Sequence, residues 1–336
     1  MNWPVVGWPA QNQVEPIGFP QRSAQSDNII AGYGWPGEPQ PNTGRRWRLA
    51  IPRPSLTFAS KNAIWIKELR RFVSANSNVA TSPDGLKWTL HGSLSSNSIA
   101  WSPSLRVAVS VASNRVDTSA NCQDWTSGVA AAANSWTCVE WSPELSIFCA
   151  VAASGTGNRV MTSPDGITWT ARTSAADNSW QSLVWAAGLS LFVAVSTTGT
   201  NRVMTSPDGI TWTAQTCPSQ NWFAVAWSQP LNTLVAIGSS GRAMYSRDGV
   251  NWTQSPGTPL SGTGYQAIWA EKINMFIGVM YGNGTGSSSV FVSYDGVNWS
   301  GTAFIGNRFW YAVAWSPELN RLVVGGTNES RLLVSP

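Results

Sequence analysis

The 336 residues are only 11% charged yet 43% apolar, which excludes a highly charged disordered chain and a long amphipathic-helix protein and implies a sizeable buried core. Thirty Gly, 20 Pro and 21 Trp against six Met favour many short strands joined by turns. The net charge of +4 is the balance of 21 basic and 17 acidic residues; thinly spread, it predicts no nucleic-acid partner.

In chain order, residues 1–41 come first, rich in Pro, Gly and Gln and without helical or strand periodicity. Trp3, Trp8 and Trp35 each precede a proline. Such a stretch cannot bury a core of its own. Its indoles need a cover, so residues 1–41 are predicted to be an extended docking arm, lying on their own domain or along another subunit. The start, MNWPVVGWPAQNQ, lacks a basic region followed by an apolar one, and no window approaches about 18 consecutive apolar residues. Neither a signal peptide nor membrane insertion is expected.

Residues 42–336 repeat at a period of about 40, the spacing of propeller blades. One landmark is a Trp before a short turn, at Trp65, Trp101, Trp141, Trp185, Trp227, Trp269 and Trp315. A second follows a turn of the form S-P-D-G-x-x-W, at Trp88, Trp125, Trp169, Trp212, Trp252 and Trp299. Each unit reads as four strands; in the clearest these are Ser182–Trp185, Leu191–Ser196, Arg202–Ser206 and Ile210–Ala214. The Asp of the turn can accept backbone N–H groups and its Gly allows positive φ. In the second unit Asn121-Cys122 replaces the Asp-Gly pair. The first landmark occurs seven times and the second six, because the chain stops at LLVSP. The missing piece lies at the other end: Asn42-Thr43-Gly44-Arg45-Arg46-Trp47-Arg48 fits the second half of a turn and its strand, with Trp47 41 residues before Trp88. The predicted fold is an all-β, seven-bladed β-propeller of four-stranded blades, its last blade begun by the C-terminus and closed by an N-terminal strand.

These turns resemble the Asp-box of β-propellers in sialidases, photosystem assembly factors and many bacteriophage tail proteins. The resemblance covers roughly residues 45–336, and it departs from the box in placing Asp and Gly side by side. In those families the box is a structural element remote from the ligand site, so it implies a fold rather than an activity.

Subtracting the repeat exposes what chemistry remains. Asp84, Asp165, Asp208, Asp248 and Asp295 are turn residues, and Glu68, Glu144 and Glu318 sit between strands one and two. Glycoside hydrolysis needs two opposed carboxylates, and no such pair emerges. Glu140 on an inner strand is the best lone acid, since its counterparts in the other units are Ile, Ala, Val, Ala, Ile and Ala; a solvated carboxylate in an axial channel is the favoured reading. The single histidine, His91, and the scattered Cys122, Cys138, Cys149 and Cys217 predict no zinc site, disulfide scaffold or Cys–His catalysis. No cofactor or metal is expected.

Two sets track the repeat. Trp136, Trp180, Trp222 and Trp310 each lie five residues before an inner-strand Trp, where the inter-blade loop meets the strand. Arg115, Arg159, Arg202, Arg242 and Arg331 open strand three, toward the same face. They fit two readings: aromatic planes and guanidiniums that seat a glycan or a partner protein, or plugs between blades and anchors for loop carbonyls. The expected function is that of a non-enzymatic bacteriophage virion component of the tail, fibre or head-decoration kind, assembled in the host cytoplasm within a symmetric array. It would dock on other virion proteins through residues 1–41 and present the Trp/Arg face to a neighbour or a host-surface glycan. A soluble lectin or an Asp-box glycosidase is the alternative.

Overall fold

The computed structural model describes residues 48–50, 63–256, 262–281, 290–301, 310–326 and 332–334. Their strands form antiparallel sheets of four throughout. Six are blades of four consecutive strands, spanning residues 63–93, 98–129, 136–172, 180–215, 222–254 and 263–301. A further four-stranded sheet joins distant parts of the chain: Trp310–Ser316, Arg321–Gly326 and Leu332–Val334 are completed by Arg48–Ala50. Its register pairs Arg48 with Val334, Leu49 with Leu333 and Ala50 with Leu332. Trp47, Ser335, Arg331 and the segment 1–41 with Trp3, Trp8 and Trp35 lie outside the described residues.

The core is a set of apolar layers between neighbouring sheets. Val109 and Val111 of the second blade pack with Trp136, Val139 and Phe148 of the third. One layer brings Phe72, Ala80 and Trp88 of the first blade against Ala312, Ala314 and Val323 of the composite sheet. Each sheet buries both faces, so its middle strands are almost wholly apolar: Phe192–Val195 and Leu234–Ile237 are buried at every position.

Strand limits differ from expectation in a consistent way. The fourth blade's inner strand runs Trp180–Ala186, reaching further back than predicted, because a bulge between Trp180 and Ser182 lets the earlier residues rejoin the ladder. Its outer strand starts only at Thr213, since Ile210–Trp212 belong to the turn. In that turn Ser206 Oγ accepts the N–H of Gly209 at 2.8 Å, and Asp208 Oδ1 accepts those of Ile210 and Thr211 at 2.8 Å each. Trp212 then donates its indole N–H to the Gly209 carbonyl at 3.0 Å. The second blade builds the same turn with other residues: Asn121 Oδ1 accepts Gln123 and Asp124 N–H, while Cys122 adopts the left-handed φ of 58° that glycine takes elsewhere. In the third blade that glycine is needed twice over. Gly166 has φ +77°, and a Cβ there would lie 2.8 Å from Val109 of the neighbouring blade.

Candidate functional site

The repeat tryptophans before the inner strands are interior residues. Trp136, Trp180 and Trp222 are 0% exposed and Trp310 is 2% exposed. Three donate their indole N–H back to a loop carbonyl four residues earlier: Trp136 to Ala132, Trp180 to Ala176 and Trp222 to Pro218, each at 3.1 Å. This corrects the expectation of a stacking face, because rings with no open surface have nothing to offer a sugar. Their polar neighbours belong to the same plug. Asn134 donates to the Asn158 carbonyl and Asn178 to that of Asn201. Gly199 approaches Asn178 so closely that a Cβ would sit 2.0 Å from its Oδ1.

Three of the arginines have intramolecular partners. Arg115 pairs with the buried Asp117 at 2.7 Å. Arg159 donates to the carbonyls of Gly155 and Ala153, and Arg202 to the Gly199 carbonyl and Asn221 Oδ1. Arg242 is exposed. The turn aspartates are also committed: burial opposes ionisation of Asp248, but the Asn251 side chain and the Asn251 and Val250 N–H groups outweigh it and hold the carboxyl down at about 2.

What the sequence reading missed is a clasp between blades. Trp101 donates its indole N–H to Glu68 Oε2 of the preceding blade at 3.0 Å, and Trp185 donates to Glu144 Oε2 at 2.5 Å. Trp65 donates to Glu318 Oε2 of the composite sheet at 2.6 Å, so the same clasp joins the first blade to the last sheet. Where the preceding turn carries no acid at this place (Ser104, Pro230 and Lys272), the buried indole N–H groups of Trp141, Trp269 and Trp315 have no partner among the described residues. Trp227 follows Gly188 and uses its own Gln229 at 3.1 Å instead. The signal was the Glu three residues after an inner-strand Trp in three of the units (Glu68, Glu144 and Glu318), but only adjacency in space ties each to the Trp of the following unit. Ser104→Glu should therefore supply Trp141 with its missing acceptor and raise stability by about 1 kcal/mol. Urea unfolding checks this, and Ser104→Gln should give a smaller gain.

The inner strands enclose an axial cavity of about 810 Å³, lined by residues from every sheet. Its wall is stitched across blades: Ser98, Ser182 and Gln266 side chains accept the backbone N–H groups of Val139, Val225 and Val313 at 3.2, 3.2 and 2.8 Å. One ring of equivalent positions carries Ile64, Ala100, Val184, Ala226, Ile268 and Ala314, and at its seventh place Glu140. Glu140 is partly exposed, and it lines the cavity. Burial pushes its carboxyl up to about 8, against a single opposing hydrogen bond from the Trp141 N–H. At neutral pH it is mostly a neutral acid, able to donate or accept one hydrogen bond.

No family model and no curated protein matches this sequence. Solved structures do. A streptogramin B lyase superposes with TM-score 0.71 at 5% identity, covering 86% of this chain and 97% of its own. YCF48 bound to D1 peptide gives TM-score 0.62 at 15% identity over 86% and 94% of the two chains. The β-propeller domain of Cps50 (Swd1) from Myceliophteria thermophila gives 0.62 at 10% identity over 82% and 95%. The fold is a β-propeller. At these identities the likeness extends to architecture and no further.

Proposed function

We propose that this chain is a non-enzymatic binding protein, a structural component of a bacteriophage virion assembled in the host cytoplasm. In this reading residues 42–336 form one closed ring in which the composite sheet is the seventh blade, and residues 1–41 fasten it to another virion protein. The observation that carries the non-enzymatic part is the fate of the carboxylates. The turn aspartates accept backbone N–H groups, Glu68, Glu144 and Glu318 accept indoles, and Asp117 and Asp177 face Arg115 and Arg159. Within the ring of inner-strand positions Glu140 is then the one carboxylate, its six counterparts being apolar, and a lone acid there suits binding, whereas hydrolysis asks for an opposed pair in defined geometry. The docking part rests on the three Trp-Pro pairs of a segment too polar and too short to fold alone. The solved neighbour seen with a bound peptide shows that this architecture can hold a polypeptide.

Deleting residues 1–41 tests the reading. The truncated chain is expected to keep its far-ultraviolet spectrum and melting profile while no longer sedimenting with assembled particles. Sedimentation equal to that of the full chain would overturn the docking role. Loss of folding would overturn it too, by making the segment part of the propeller's own surface.

A further inference from the structure

The axial cavity combines an apolar collar with an excess of acidic over basic side chains, on a protein whose net charge is +4. Lys67, Glu68, Glu140, Glu271 and Glu318 are the basic and acidic side chains of its lining, which also includes Cys138 and Tyr265. Lys67 lies 3.8 Å from Glu68, which leaves Glu271 and Glu318 at one mouth and Glu140 within. The inner strand that bears Glu140 ends two residues later at Ser142, so its carboxyl sits toward the mouth where Glu318 and Glu271 lie. No side-chain donor among the described residues reaches it; its hydrogen bond is the backbone N–H of Trp141. The groups that face it are the thiols of Cys138 on its own strand and of Cys149, opposite it in register on the next. The facing inner strand of the fourth blade, WQSLVWA, carries no ionisable side chain.

We propose that the channel binds an organic cation on an aliphatic stem, a lysine-type ammonium or a polyamine, with Glu140 as its counter-charge. The stem would lie against Ile64, Val184 and Ile268 of the collar, and the head would reach the carboxylate. A volume of about 810 Å³ falls within the roughly 300–1,000 Å³ of small-molecule sites. A hard metal ion fits poorly, because one carboxylate in an apolar ring cannot provide the six or so oxygens such an ion takes. Trp residues along the wall favour the same choice, since indole faces attract alkylammonium groups. Binding couples to ionisation: the cation stabilises the charged carboxylate, so the site releases a proton as it fills. This inference stands apart from the virion reading and survives its failure.

Calorimetric titration of the full chain with spermidine, and separately with a capped Gly-Gly-Lys-Gly-Gly peptide and its Gln counterpart, tests it. Saturable binding of spermidine alone would assign the site to a free polyamine. Binding of the Lys peptide but not the Gln peptide would assign it to a partner's side chain, and either outcome supports the proposal. Affinity should rise by about tenfold per pH unit between pH 6 and 8, with proton release seen as a dependence of the heat on buffer. Glu140→Gln should weaken binding at least about tenfold at pH 8 while melting no lower than the parent. Glu140→Val, which copies the fourth blade, provides a second variant if the first folds poorly. Absence of binding by both probes, or binding unchanged in these variants, would overturn the proposal.

Discussion

Trp180→Ala is expected to cost about 3–5 kcal/mol, a large share of the roughly 5–15 kcal/mol that holds a typical protein folded. The indole is 0% exposed and packs among Cys149, Val151, Leu183 and Phe192, bridging the third and fourth blades. Removing it leaves a cavity where the loop, the inner strand and the neighbouring blade converge, and strips the Ala176 carbonyl of its donor. Urea denaturation should show the loss as a lower midpoint. Trp180→Phe should recover part of it, because the ring is kept while the hydrogen bond goes. A variant that folded as well as the parent and lost only a ligand would restore the binding role that burial denies.

The second large effect is a pH dependence owed to Glu140. Its carboxyl titrates at about 8 when folded, against the ordinary range near 4.5 when unfolded. Between those values the unfolded chain has released the proton and the folded chain still holds it. Stability is therefore full below about pH 4.5 and falls as pH rises toward 8, by up to about 1.4 kcal/mol per unit, levelling above it. Other groups act elsewhere or oppositely. The turn aspartates are depressed, so their contribution is lost only as pH falls below about 4. Burial and the charge of Arg71 lower His91, which adds stability as pH rises through its range. Comparing wild type with Glu140→Gln cancels both. The two proteins should be about equally stable at pH 4, and the variant should be more stable by several kcal/mol at pH 9. Parallel stability curves across that range would show that Glu140 ionises freely in the folded state.

Much of this architecture was legible in the residues. The 40-residue period, the S-P-D-G-x-x-W turns and the inner tryptophans specify a repeated four-stranded unit, because turn chemistry and strand patterning are local. The offset of the C-terminal stop against the N-terminal Asn42–Arg48 foretold that distant segments would share a sheet. The pairing uses Arg48–Ala50, which begins directly after Trp47 just as the other outer strands begin directly after their own Trp, so the turn-based alignment located it. The functional residues were less legible. Trp180 looks the same in sequence whether it faces a ligand or a neighbouring blade, and repetition arises equally from repeated binding and repeated packing. Three of the arginines show a related ambiguity: Arg115 meets Asp117 while Arg159 and Arg202 meet their own loops, so equivalent positions carry unequal partners.

The residues alone determined the unit, its turns and the oddity of Glu140 among six apolar counterparts, since each is written in nearest-neighbour chemistry and in comparison of one repeat with the next. Only the tertiary structure decided which side chains are open and which are spent. Glu318 and Trp65 stand 253 positions apart in sequence and 2.6 Å apart in space. Burial and hydrogen bonding across blades depend on the packing of neighbouring sheets about the axis, which no single repeat contains.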